Sequence, residues 1–260
     1  MERSRLPVIF LMLIVAFAAA AQEKEDNYIG FKGGISIPQL SSSDTNELSR
    51  DYKSRVAPNF GAFFDIGVAR RTSVQFEVNY AGQGGKRDGI QPVTQPIPGL
   101  PALPTGNYYY ANFKNTAKLT YLEIPALVKY RFGKKEKPRI YVNGGIYYGY
   151  LLKADTVSEG SSTLYLDRDG RVPVVLPPNG DPFPAIPFDA TTDIKDELNK
   201  NNFGLTGGGG IEIPHKRNYF VIDARIAYGL VSIQKDTALN GDSKTGNLVI
   251  SFGYAFGLKR

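Results

Sequence analysis

The chain is 260 residues long, 42% apolar and 22% charged, and its net charge of +6 is spread out rather than gathered into a run. That pattern leaves no electrostatic footprint for nucleic acid, and no nucleic-acid partner is expected. With no cysteine, disulfides, thiolate metal sites, a cysteine nucleophile and the lipid attachment of a bacterial lipoprotein are all excluded.

At the N-terminus, Arg3 and Arg5 precede an apolar stretch from Leu6 to Ala18, and Ala19-Ala20-Ala21 offers a small-residue cleavage site. These are the parts of a secretory signal peptide over 1–21, with Gln22 as the first mature residue and a single domain over 22–260. The apolar stretch falls short of the roughly 20 residues a transmembrane helix needs. No later segment approaches that length of uninterrupted apolar residues.

From Tyr28 onward, segments of alternating apolar and polar residues recur, each closed by turn residues. They lie near 28–37, 59–68, 73–82, 118–132, 139–153, 203–213, 219–230 and 247–258. The last is the cleanest: Leu248, Ile250, Phe252, Tyr254, Phe256 and Leu258 share one face, and Asn247, Val249, Ser251, Gly253, Ala255 and Gly257 the other. Short links, such as Ala69-Arg70-Arg71-Thr72 and Pro214-His215-Lys216-Arg217-Asn218, alternate with long ones throughout. Large apolar side chains on one wall, small or charged ones on the other and alternating link lengths together describe an eight-stranded antiparallel transmembrane β-barrel. Its short turns are periplasmic and its long loops extracellular, in the bacterial outer membrane. A lipocalin-like soluble barrel is the alternative, but its narrow interior would be crowded by the Tyr, Phe, Ile and Leu wall. Phe132, Tyr150, Tyr228 and Phe256 fall near strand ends, where interfacial girdles form.

Alternation assigns Lys32, Asp65, Glu77, Glu123, Lys129, Arg131, Arg139, Glu212, Asp223 and Arg225 to the inner wall, five acids and five bases. In a narrow interior such charges are costly unless paired, so a salt-bridged plug is expected rather than an ion path. Other motifs carry less. Gly207-Gly208-Gly209-Gly210 and Gly82-Gln83-Gly84-Gly85-Lys86-Arg87 lack the Lys-Ser/Thr and helix start of a phosphate loop, and strand glycines mark close approach. Asp167-Arg168-Asp169-Gly170 has a fragment of a calcium loop but reads as a hairpin turn. The one histidine, His215, lies in a periplasmic turn, away from any outer-leaflet chemistry. No catalytic, cofactor or metal site is expected.

The chain resembles the PorT-like outer-membrane β-barrel family. The carrying residues are Gly30-Phe31-Lys32-Gly33-Gly34, Tyr121-Leu122-Glu123-Ile124-Pro125 through Lys129-Tyr130, Gly144 to Tyr150, Phe203 to Glu212, and Arg225 to Leu230. The resemblance implies a barrel carrying the bacterial outer membrane protein domain and a link to secretion of surface proteins. Two expectations follow. The leading one is a non-enzymatic scaffold acting through two long proline-rich outer loops, 83–117 and 154–202. The alternative is an accessory role in protein secretion or surface assembly; an enzyme or a narrow transporter ranks below both. The expected partners are outer-membrane lipid and a protein at the outer loops or periplasmic turns, with the barrel itself a monomer.

Overall fold

The computed structural model describes residues 24–42 and 46–258, so the signal peptide expected over 1–21 and the mature start at Gln22 lie outside the described residues. Eight long strands form the body: β1 (Tyr28–Ser42), β2 (Ala57–Gly67), β3 (Thr72–Val93), β4 (Tyr109–Phe132), β5 (Arg139–Glu159), β6 (Asn201–His215), β7 (Asn218–Gly229) and β8 (Ser243–Gly257). Each pairs antiparallel with its sequence neighbours, and β1 pairs with β8 from Tyr28 opposite Gly257 to Ser42 opposite Ser243. The sheet is therefore a closed ring with no edge left in the bilayer, the one way strands can satisfy every backbone group in lipid. No helix among the described residues is long and apolar enough to cross a membrane.

The two walls follow the sequence alternation. On β1 and β8, Phe31 and Phe252 are 63% and 64% exposed, whereas Ser251 and Ala255 are fully buried. The outward apolar band on β4 runs from Phe132 to Leu122, matching the about 9–11 residues a tilted strand uses to span hydrocarbon. Above it the outward face turns polar, with Lys114 bonded to Glu159 at 2.8 Å and Lys153 to Asp155 at 2.5 Å. At the periplasmic rim, exposed His215 stacks on Phe220 and meets the Tyr254 hydroxyl at 3.1 Å, part of an aromatic girdle on β6–β8.

The first long loop differs from the expectation. β3 continues to Val93 and β4 begins at Tyr109, so most of 83–117 is a paired hairpin and its connection is only 94–108. The alternation persists there with its meaning reversed. Ala111, Phe113, Ala117 and Leu119 are buried, while Lys86, Asp88, Lys114 and Lys118 point outward. The lipid-facing band ends where the outward face becomes charged, although the strand continues.

Glycines on β6 set how tightly the wall packs. A Cβ on Gly208 would lie 2.1 Å from the Ala224 carbonyl, and one on Gly210 would lie 2.1 Å from that of Ile222 and 2.6 Å from the Tyr141 hydroxyl. The nearest atom to a Cβ on Gly207 is 3.4 Å away. Gly208→Ala should therefore destabilise the refolded barrel by about 1–3 kcal/mol, and Gly207→Ala by less than about 0.5 kcal/mol. Urea midpoints of the two variants in detergent check this; equal midpoints would mean that the strands relax around an added methyl group.

Candidate functional site

The lumen is filled in layers. All ten charged residues read onto the inner wall stand inside it, none more than 7% exposed. The structure divides nine of them between two clusters. Near the periplasmic end, Glu212 receives Lys129 at 2.7 Å, Arg131 at 2.9 Å and Arg139 at 2.8 Å. Arg131 also bonds Asp65 and donates to the Ser73 hydroxyl at 2.6 Å. Higher up, Glu77 takes Lys32 at 2.7 Å and both guanidinium ends of Arg225 at 3.0 Å, while Arg225 reaches Asp223 at 2.7 Å. The Tyr141 hydroxyl donates to Asp223 at 2.6 Å, and Lys129 stacks over the Tyr141 ring, which ties the layers together.

Glu123 stands apart from both. Its carboxylate accepts the Gln83 amide at 2.7 Å and has no cation within ion-pair distance among the described residues. Its register places it opposite Asn79, and Lys32 and Arg225, which border the same gap, both turn toward Glu77 instead. Glu123 and Pro125 border a gap with about 20 Å³ of room, enough for one ordered water. The missing partner in the charge balance is Glu25, which sequence alternation did not reveal. It precedes β1, is 5% exposed, and clamps Arg139 with both carboxylate oxygens at 2.8 and 3.1 Å. With Glu25 included, five cations meet five anions and Glu123 is the surplus acid. Glu25 is placed by a backbone hydrogen bond to Ala69, a tertiary contact with no local signal.

The extracellular end of the lumen is capped by apolar side chains. On the extracellular side Leu40, Leu119, Tyr121, Leu151, Leu198 and Ile233 form a buried apolar layer, with Tyr52 and Ile194 packed against it. Leu198 and Ile233 come from two different loops, joined where Asn199 donates to the Ile233 carbonyl at 2.8 Å. These contacts close the extracellular mouth. Farther out a second apolar cluster gathers Ile97, Ala111, Phe113, Leu164, Val174 and Phe183, with Phe113 stacked on Phe188 at 4.7 Å. The second long loop is thus a folded extracellular subdomain built from short strands, and not an unpatterned segment. Its residues 190–193 add to the edge of β5, and Leu164–Tyr165 to that of β4.

At the tip of that subdomain, Asp167-Arg168-Asp169-Gly170 is a hairpin turn. Asp167 accepts the Val172 and Arg171 amides at 2.7 and 2.9 Å, and Gly170 takes the left-handed φ of 69°. The Val172 and Arg171 amides hold the Asp167 carboxyl below the usual carboxylate range. No group of three or more His, Cys, Asp or Glu with metal-binding geometry occurs among the described residues.

The model of the outer membrane protein beta-barrel domain family matches residues 20–235. The chain belongs to this family. The barrel is accordingly an outer-membrane protein of bacteria. Among solved structures, it is similar to Ail, the attachment invasion locus protein of Yersinia pestis, at 15% identity over 89% of this chain and 100% of that one, with a TM-score of 0.39. Neisserial surface protein A is similar at 10% identity over 91% and 100%, with a TM-score of 0.40. OprG from Pseudomonas aeruginosa is similar at 14% identity over 91% and 98%, also with a TM-score of 0.40. Comparison with curated proteins finds no match.

Proposed function

We propose that this outer-membrane barrel is a non-enzymatic scaffold whose interaction surface is the folded extracellular subdomain. The reading rests on one observation: residues of two connections and the outer end of β4 build an apolar core outside the membrane, around Phe113, Leu164 and Phe183. Loops kept only as spacers have no need of a core of their own, whereas rigid loops lower the entropy lost when a partner is bound. On this reading the barrel is a monomer in outer-membrane lipid, and the lumen charges serve as a plug. Leu166 and Val172, 54% and 50% exposed, flank Arg168 and Arg171 at the subdomain tip and offer apolar area beside positive charge to a protein partner.

The test is to replace 161–187 with a short Gly/Ser linker. This cut spares the strand at 190–193 and the Leu198 cap, both of which support the barrel. The variant should reach the outer membrane and keep heat-dependent gel mobility, yet fail to rescue the surface phenotype of a deletion strain. Full rescue would move the function to the periplasmic side.

The secretion-accessory role is the second reading, favoured by the PorT-like Leu122-Glu123-Ile124-Pro125 element, which supplies the surplus interior acid. A deletion strain that exports surface proteins at the normal rate would eliminate it.

A further inference from the structure

We infer that the periplasmic mouth of the barrel is a binding site for an acidic peptide segment, reached only from the periplasm.

The lumen is asymmetric. Its extracellular end is closed by the apolar layer around Tyr121, Leu151 and Leu198. Its periplasmic end widens into a cavity of about 590 Å³, within the range of about 300–1,000 Å³ typical of ligand pockets. The strand positions lining it, Tyr28, Arg139, Glu212, Pro214, Tyr219 and Gly257, all lie on the inward side of the wall. A phospholipid headgroup is anchored outside that wall and would have to lift its acyl chains out of the leaflet to enter. A water-soluble chain from the periplasm meets no such barrier.

The charge at the mouth selects its sign. The floor is neutralised internally, since Arg139 is held by Glu25 and Glu212. On the rim Lys135 is paired with Asp26 at 2.5 Å. Lys216 and Arg217, the two turn residues between β6 and β7, are exposed and make no ion pair among the described residues. They share the cavity lining with Glu136, which makes no ion pair among the described residues. The three periplasmic turns carry seven Lys and Arg and one acid in their own sequence, so even with Lys135 paired to Asp26 and Arg70 engaged elsewhere the turns keep an excess of positive charge at the mouth.

The turn that presents these two cations is fixed. Lys216 is held at a left-handed φ of 59°, uncommon for a residue with a side chain. The Asn218 side chain anchors the turn by accepting the Gly257 amide at 3.1 Å and donating to Tyr254 at 2.8 Å. Behind the turn, Tyr219, 3% exposed, forms part of the cavity lining and packs edge-on against Tyr28 with ring centroids 4.7 Å apart. Carboxylates of an acidic peptide suit this arrangement. The Arg217 guanidinium takes a carboxylate in a planar fork, and the Lys216 ammonium adds a point charge.

The experiment uses the mature barrel refolded in zwitterionic micelles and a fluorescent tetraglutamate peptide as probe. Saturable binding is expected, at least tenfold weaker for the Lys216→Gln/Arg217→Gln double variant, and tighter for Glu136→Gln. A Lys134→Gln/Lys137→Gln double variant removes the same charge outside the cavity lining and should weaken binding less than threefold. Gel mobility confirms that each variant is folded. Equal weakening by the two double variants would overturn the site in favour of a general surface field. Absence of saturable binding, or displacement of the peptide by equimolar inorganic phosphate, would overturn it as well.

Discussion

Glu212→Ala is expected to lower the stability of the refolded barrel by about 3–5 kcal/mol, the cost of leaving buried charge without its partner. Glu212 is 1% exposed and receives Lys129, Arg131 and Arg139 together. Without it these three cations share only Asp65 and Glu25. A buried ion pair need not add net stability over an apolar pair of the same shape. Removing one member is different, because the remaining charge has no water to return to. Glu123→Gln should cost less than about 1 kcal/mol, because the bond from Gln83 survives the substitution and no ion pair is lost. Asp181→Ala, at an exposed extracellular position, should lie within about 0.5 kcal/mol of the parent. Urea midpoints in detergent would rank Glu212→Ala well below the other two. Indistinguishable midpoints for Glu212→Ala and Asp181→Ala would show that the lumen charges do not act as a packed plug.

The other large effect is expected outside the membrane. Leu164 is fully buried in the extracellular cluster and pairs through its backbone with Ala111. Leu164→Ala should cost about 2–5 kcal/mol, from lost transfer energy and the cavity left behind. The loss should stay local. The barrel wall is held by strand pairing below Thr120, where β4 and β5 change register, whereas the cluster lies beyond that irregularity. Hydrogen exchange should therefore quicken over 109–114 and 164–174 while the amides of 122–132 keep their protection and the gel mobility of the folded barrel persists. Loss of protection along the whole of β4 would mean that barrel and subdomain unfold as one unit.

These two results would separate the parts of the molecule that the sequence makes legible to different degrees. The inner wall was readable because a strand has only two faces. Once Leu248, Ile250 and Phe252 are placed toward lipid, Asn247 and Ser251 must point inward, and so must Asp223 and Arg225 on the neighbouring strand. Which charge meets which was not readable. Arg131 and Glu212 are 81 positions apart, and their contact depends on the register of β4, β5 and β6 around the ring. Glu25 escaped for a related reason: it joins Arg139 from outside any strand.

The extracellular subdomain is not legible in the sequence, and the cause is a change of solvent. Inside the bilayer the apolar face of a strand points outward; above it, on the same strand of the same sheet, the apolar face points inward, as at Phe113 and Leu119. Proline-rich stretches such as 173–187 hide their short strands, because few residues in each have room to alternate. The amino-acid sequence by itself determined the class of fold, the number of membrane strands and which charges on those strands point inward, since each follows from a local period and the lengths of turns. The partners within the charge clusters, the closed extracellular mouth, the open periplasmic one and the second apolar core were decided only by the tertiary structure, because each depends on which distant residues the closed ring brings within a few ångströms of one another.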